Sequence, residues 1–566
     1  MPLEPVSAVR PPLRLRADLP DGPFGSASTG MLVGLGETDE ARWFDRVGRP
    51  AVVALAGFFI LLGAGNLDLN ATEARLGLAV GDGFGPLGRV AGFWDPSVWP
   101  VPIALGQVAG WFEEEGATQN SVRWPAALAG CLIGYLLTRR SRIALNPRAG
   151  VMVAVAWFSS LALMDRSSHL NLDLVAGLGT VAALDRLLAR GSGWAVGAWA
   201  SWAFLAGGWP PVAVLGLATV VLGRSGASWN WRTSVPVALT VAAWSAWALT
   251  QSSAEAWASA LTLPITQSSA WMFTLVVLGA GFPWAPIVGL MAARSVRDQW
   301  SGPSRGLVVG WLQVVGACLV VGSIVPGLAS AATVPALAGL AVVAASLWDR
   351  ACSGSGMAPG PRRVLGGLVL AVAGLWLVVA LAWGGSVAFT IAYYRATMII
   401  MIAASAVAFG LAVASVRLAD PRRGCAALLL VAVAIKLGHW GYFVPEMNYR
   451  TSAGPWGRAI GQWVPEGHPV YTLHAWPADL AYAISRPIRQ LAGPQLVEYQ
   501  PGKGSKFLLL AESEYDEYQK WSEGWPKLVK VAEFQDEEGL SRRILTRTAG
   551  PILLGHPHRP NSAFDK

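Results

Sequence analysis

Long apolar runs recur along most of this chain, and they limit its possible folds more than any other feature. They occur near 50–65, 124–138, 149–164, 170–188, 234–250, 271–293, 307–325, 328–347, 363–385, 390–416 and 423–439. About 20 predominantly apolar residues in helical form cross the hydrocarbon core of a bilayer, so each run is a candidate span. The stretch 194–223 is too long for one helix and is broken by Gly207-Gly208-Trp209-Pro210-Pro211. It reads as two short helices, 194–206 and 210–223, meeting at a tight turn. The expected fold is mainly α, a polytopic membrane protein of about thirteen transmembrane helices.

Composition agrees. Only 14% of the 566 residues are charged, against about 25% in soluble chains. The 28 Trp suit membrane–water interfaces, where the ring is apolar and the N–H stays wet. A formal charge of +8 would suggest nucleic acid as a partner of a soluble protein. Here the basic residues sit mostly in short loops between apolar runs, so they read as a topology signal and no nucleic-acid partner is expected. The four Cys (Cys131, Cys318, Cys352, Cys425) lie in or beside apolar runs and form neither a disulfide framework nor a metal-ligand spacing.

Cytoplasmic loops are rich in Arg and Lys. With the N-terminus inside, the even-numbered helices end inside, at Arg139-Arg140-Ser141-Arg142, Asp185-Arg186 with Arg190, Arg224, Arg294 with Arg297, Asp349-Arg350, and Arg417 with Arg422-Arg423. The outer loops 208–211, 251–269, 326–327 and 386–389 carry no Arg or Lys. Residues 1–48, polar and rich in Pro and Gly, read as a disordered cytoplasmic tail. Residues 49–439 form the transmembrane domain, with an outer loop at 66–123 whose stretch 101–112 is too short to span. Residues 440–566 have the composition of a soluble domain and, by the same count, lie outside the cytoplasm. Strands are expected at 470–473, 507–510, 527–534 and 543–547, and helices at 477–486 and 514–522, giving a small α/β domain.

Charge inside or at the rim of a membrane is costly and tends to be functional. Asp68, Glu73 and Arg75 follow the first span within Asn66-Leu67-Asp68-Leu69-Asn70-Ala71-Thr72-Glu73-Ala74-Arg75. They suit acid–base work and phosphate binding, or else form an exposed ion pair at a loop start. Asp173 lies several residues inside the fourth span, either functional or a satisfied structural carboxylate, with His169 at the rim before it. Arg395 is read as lying a turn or two below the outer end of its helix. Lys436, near the end of the last span, either faces a cavity or snorkels to the interface. Asp39-Glu40 resembles an acidic catalytic cluster but falls in the cytoplasmic tail.

Together these segments resemble the GT-C fold glycosyltransferases that use polyprenyl-phosphate sugars, the bacterial relatives of protein O-mannosyltransferases and lipid A aminoarabinose transferases. Thr72-Glu73-Ala74-Arg75 is similar to the acidic motif of that family's first outer loop. Ser121-Val122-Arg123-Trp124-Pro125-Ala126-Ala127-Leu128 resembles the entry to its second helix, and His169-Leu170-Asn171-Leu172-Asp173 the motif entering the fourth. Ala203 to Pro211 resembles its Phe-Leu-x-Lys-Gly-Pro turn, with Gly207 in place of the Lys. Trp99-Pro100-Val101-Pro102 stands where a Lys-Pro-Pro-Leu segment is expected, and Pro283-Trp284 matches a family habit. The resemblance implies inverting transfer of a sugar from a polyprenyl-phosphate donor to a glycan, lipid or protein acceptor, in contact with membrane lipids. It implies Glu73 as base with Asp68 as fallback. Arg75, Arg123 and Arg395 become phosphate ligands, with His169 and Lys436 as further binding residues. Asp173 would orient the acceptor or hold a divalent metal. A catalytically inactive binding or assembly subunit and a transporter are the competing readings. The chain lacks the repeated halves expected of a transporter.

Overall fold

The structure, a computed structural model, describes residues 48, 50–61, 74, 76, 77, 89, 90, 93, 94, 99–110, 119–164, 170–223, 229–251, 270–353, 357–446, 454–465, 468–473, 478–486, 488–490, 506–520, 528–535 and 542–548. The polar tail 1–47 and the site segments 62–73 and 165–169 lie outside these residues. Helices dominate: α1 (Pro50–Phe59), α2 (Pro100–Gly110), α3 (Gln119–Ala144), α4 (Pro147–Phe158), α5 (Leu170–Leu188), α6 (Gly193–Gly207) and α7 (Trp209–Gly223). They continue with α8 (Trp231–Gln251), α9 (Ala270–Ala280), α10 (Gly302–Ile324), α11 (Ala329–Cys352), α12 (Pro359–Val379), α13 (Arg395–Arg417) and α14 (Pro421–Gly438).

Each apolar run of the sequence is mostly helical over its described residues, with breaks at Ser159–Ser160, at residues 281–284 and at Ile391. Length and composition qualify five helical segments as spans, beginning at Gly302, Pro326, Pro359, Ala392 and Pro421, and a sixth if a bent pair counts as one. The protein is therefore multi-pass; a total of thirteen crossings goes beyond these segments. The run 271–293, read as a straight span, is instead Trp271–Ala280 and Ala285–Ala292 at 112° to each other. Pro283 has no N–H for the helical ladder, so the ladder breaks there. The last span also runs past residue 439, through a π turn at His439–Phe443, to Glu446.

Local chemistry sets the helix starts. Asn146 caps α4 by accepting from the Ala149 N–H at 2.8 Å, with Pro147 at the first helical position. Asp420 and Pro421 do the same for α14. The Ala-rich α11 is the central helix, buried over most of its length, while α12 and α13 expose most of theirs. Gly177 lets α5 press against Val334 of α11, where a Cβ would come within 2.4 Å. Close approach at small residues is how membrane helices gain dispersion contact without a hydrophobic drive.

The α6–α7 turn forms as read, with Gly208 its single non-helical residue at φ +73 and ψ −149. The Trp99 ring lies against it, 2.2 Å from where a Cβ would stand. Trp99 also meets Phe204 and Trp244 at centroid distances of 5.7 and 5.0 Å. Gly208→Ala is expected to cost about 3 kcal/mol, combining a backbone region nearly reserved for glycine with the clash. Thermal unfolding in detergent checks this. Trp99→Ala in the same chain should restore only part of the loss, because it leaves the backbone strain in place.

After the spans comes a five-stranded sheet ordered β4-β3-β5-β7-β6, from β3 (Val470–Thr472), β4 (Ile488–Gln490), β5 (Phe507–Ala511), β6 (Leu528–Gln535) and β7 (Arg542–Thr548). A separate two-residue pair, β1 (Arg89–Val90) and β2 (Phe93–Trp94), lies earlier. In the main sheet β3 pairs in parallel with β4 and β5, while β7 is antiparallel to β5 and β6. Central β5 is buried on both faces, which is why its sequence is continuously apolar. Phe507 and Leu509 pack toward α15 (Gly454–Trp463) and α16 (Ala478–Ile484), and Leu508 and Leu510 toward α17 (Glu512–Lys520). This is the small α/β unit the sequence predicts, with β4 and α15 added.

Candidate functional site

Four of the eight candidate site residues are described: Arg123, Asp173, Arg395 and Lys436. Asp68, Glu73, Arg75 and His169 lie outside the described residues. Arg123 is buried in the second turn of α3, and Asp173 is half-buried in the first turn of α5, where the positive end of the helix dipole favours a carboxylate. Helices α3 and α5 pack together.

Lys436 is fully buried, which rules out snorkelling. Its Nζ donates to the Phe59 carbonyl at 3.1 Å and lies 5.4 Å from the centre of the Trp440 ring. Phe59 itself lies in the π turn Gly57–Leu61, a local departure from the α-helix that often marks functional sites. The last span therefore grips the end of α1 immediately before the segment that carries Asp68, Glu73 and Arg75.

Arg395 lies one 3-10 turn inside the span Ala392–Arg417. Ile391 is extended, a 3-10 turn covers Ala392–Tyr394, and Arg395 is the first residue of α13. It is exposed, and its Nε donates to the Ala388 carbonyl at 3.1 Å. Gly441 faces Thr397 and Gly438 faces Met401, so the Arg395 end of α13 adjoins the Lys436 end of α14. The short helix Leu161–Met164 contacts both Gly57–Leu61 and α14 just before α5 begins. Arg123, Asp173, Arg395 and Lys436 thus share one end of the helical bundle.

Sequence reasoning passed over an aromatic chain at this end. Trp383 meets Tyr442 at 5.5 Å, Tyr442 meets Tyr394 at 4.9 Å, and the Tyr394 hydroxyl donates to Glu446 Oε2 at 3.3 Å. Two more π turns, Ala380–Gly384 and His439–Phe443, supply Trp383 and Tyr442. The signal in the sequence was the carboxylate of Glu446 closing an apolar run. Phe389 and Tyr393 nearby are 89% and 86% exposed, as expected of interfacial aromatics.

Two motifs separated by some hundred residues also meet. The Trp99 ring covers Gly208, so the Trp99-Pro100-Val101-Pro102 segment sits on the α6–α7 turn. A Cβ on Gly207 would come within 2.8 Å of Ala176, so this turn is packed shut where the resemblance expects a lysine. Among the described residues, no three His, Cys, Asp or Glu side chains gather to hold a metal.

The fold is thus a bundle of apolar helices with a packed turn at one end and a small α/β unit after the last span. The particular likeness is to ArnT from Cupriavidus metallidurans. Its apo crystal structure matches with a TM-score of 0.64 and 17% identity, covering 93% of this chain and 100% of that one. Its structure bound to undecaprenyl phosphate matches with a TM-score of 0.66 and 16% identity, covering 93% and 99%. At such identity the likeness establishes the fold. No family model and no curated protein matches the chain.

Proposed function

We propose that this chain is a membrane glycosyltransferase. In this reading it moves a sugar, with inversion, from a polyprenyl-phosphate donor to a glycan, lipid or protein acceptor. The observation that carries the reading is the end-to-end likeness to ArnT, one structure of which holds undecaprenyl phosphate. The Arg-bearing loops support an inner-membrane orientation with thirteen crossings. The N-terminus is then cytoplasmic, and the site end of the bundle and the C-terminal sheet face outward.

Glu73 takes the proton from the acceptor hydroxyl or amine as it attacks the anomeric carbon, with Asp68 as the alternative base. Arg75, Arg123 and Arg395 steady the departing phosphate, whose charge grows in the transition state, and His169 assists binding. Asp173 orients the acceptor or holds a divalent metal. Lys436, bonded to Phe59, acts by fixing the end of α1 and so the placement of the Glu73 segment.

The test is transfer by the purified full chain in proteoliposomes supplied with polyprenyl-phosphate-linked sugars. Release of polyprenyl phosphate and a product of inverted anomeric configuration are expected. The packed Gly207, where the resemblance expects a lysine, favours a second reading as an inactive binding subunit. That reading predicts retained binding of polyprenyl phosphate and no release with any donor.

A further inference from the structure

All four cysteines are free thiols, and the fold brings two of them together with a thioether. Cys425, in the second turn of α14, donates to Met152 Sδ of α4 with the sulfurs 3.6 Å apart. Cys352, the last residue of α11, stands within electrostatic reach of Cys425. All three side chains are half-buried, so the group is shielded but not sealed.

The surrounding contacts hold these three helices in register. Arg148, one turn before Met152, donates to Asp349 and Ser353, which flank Cys352 in sequence. Gly424, next to Cys425, lies against Trp348, one turn before Cys352, where a Cβ would come within 2.9 Å of the ring. The ends of α4 and α14 therefore meet the end of α11 from two sides. Cys425 and Met152 are 273 residues apart, so no ligand spacing in the sequence reveals the group.

Thiolate and thioether are soft ligands, and together they select Cu(I) over harder divalent ions. Zinc instead builds four-coordinate shells from Cys, His and carboxylates. Among the described residues no third donor of those types joins the two cysteines. The spacing also fits. With metal–sulfur bonds of about 2.3 Å, two sulfurs at this separation subtend about 100° at a shared ion, a small adjustment from a trigonal or tetrahedral angle. A disulfide would join only two of the three sulfurs and leave the Met152 contact unexplained.

We propose that Met152, Cys352 and Cys425 form a binding site for one Cu(I) ion. The ion takes the place of the thiol protons, which pass to solvent. Once bound, it ties α4, α11 and α14 together. The site lies at the opposite end of α14 from Lys436, so this inference stands whether or not the chain transfers sugars.

The experiment titrates the purified full chain, in detergent under argon with ascorbate, with Cu(I) against the chromophoric chelator bicinchoninate. One Cu(I) per chain is expected to resist the chelator, with X-ray absorption placing sulfur neighbours at about 2.3 Å. Cys352→Ala and Cys425→Ala should each weaken binding about 100-fold or more, beyond what outer-shell changes usually cost. Met152→Leu, which keeps the side-chain volume, should weaken it about tenfold. Cys131→Ala with Cys318→Ala, elsewhere in the bundle, should leave it unchanged. Unfolding midpoints in metal-free buffer identify which variants are folded, and Met152→Leu with the absorption spectrum decides the matter if a cysteine variant is not. No chelator-resistant ion in wild type, an unchanged affinity in any of the three ligand variants, or a shell of nitrogen and oxygen would overturn the proposal. So would a Cys352–Cys425 disulfide in chain purified under argon, which would make the pair a covalent link and not a metal site.

Discussion

Glu73→Gln is expected to lower the rate of sugar transfer by about 100-fold or more, the least that general-base catalysis usually contributes. The amide keeps the size and shape of the carboxylate but cannot take the acceptor proton. Expression and membrane insertion should be unchanged, because a neutral residue between spans burdens neither. Radiolabelled donor turnover by the purified variant, beside wild type at matched protein, is the measurement. Full activity of Glu73→Gln would remove Glu73 from the mechanism. Full activity of the chain that also carries Asp68→Asn and Asp173→Asn would sink the glycosyltransferase assignment.

A large effect on stability is also expected at Asp349. Its carboxylate is nearly buried and accepts from Arg148 Nε and Asn146 Nδ2, each at 2.8 Å. Arg148 also reaches Ser353 Oγ at 2.6 Å. One side chain therefore ties the α3–α4 turn, including the cap of α4, to the C-terminal end of α11. Asp349→Ala leaves a largely buried guanidinium without that partner and loosens the cap, a loss of about 3 kcal/mol for breaking a buried pair. The Arg294–Asp298 pair is mostly exposed at 3.4 Å, so Asp298→Ala should cost about 0.5 kcal/mol or less. Denaturation midpoints of both variants in one detergent check the contrast. Equal costs would mean that the Asp349 pair is no better shielded than the surface one.

Hydropathy made the helical nature of this chain legible, because apolar runs and their breakers are local properties. The break at Gly208 was readable from Gly and Pro alone. The bend near Pro283 was not, because the apolar run continues through it and only the fold decides whether a proline kinks a helix or ends it. The break at Ile391 was hidden for a similar reason: Ile391 is apolar, so the run conceals a residue in extended geometry. The α15 helix went unseen because Gly457 and Gly461 weaken helix propensity. Those glycines are there for packing, since a Cβ on either would come within 2.5 Å of α16. Strand β4, three residues long, carries too little pattern to read.

The site was legible as a set of charges and motifs, but their partners were not. Lys436 reads as a cation near a membrane surface, and nothing local reveals that the Phe59 carbonyl, far earlier in the chain, accepts its hydrogen bond. Likewise Trp99 and Gly208 resemble separate motifs until the fold lays one on the other. Long-range pairings of this kind have no periodicity to betray them.

The bend at residues 281–284 has a consequence for biogenesis. As the chain emerges from the ribosome, the run 271–293 presents one continuous apolar stretch, which the insertion machinery can accept as a straight segment. Non-helical backbone at membrane depth persists only where protein shields it. Here the shield is the Ser159–Leu161 segment: the Leu161 N–H donates to the Phe282 carbonyl at 3.0 Å, and Trp284 Nε1 donates to Ser159 Oγ at 2.9 Å. Those partners belong to a part of the chain made earlier. The order of synthesis thus places the shielding segment in the chain before the bend that needs it.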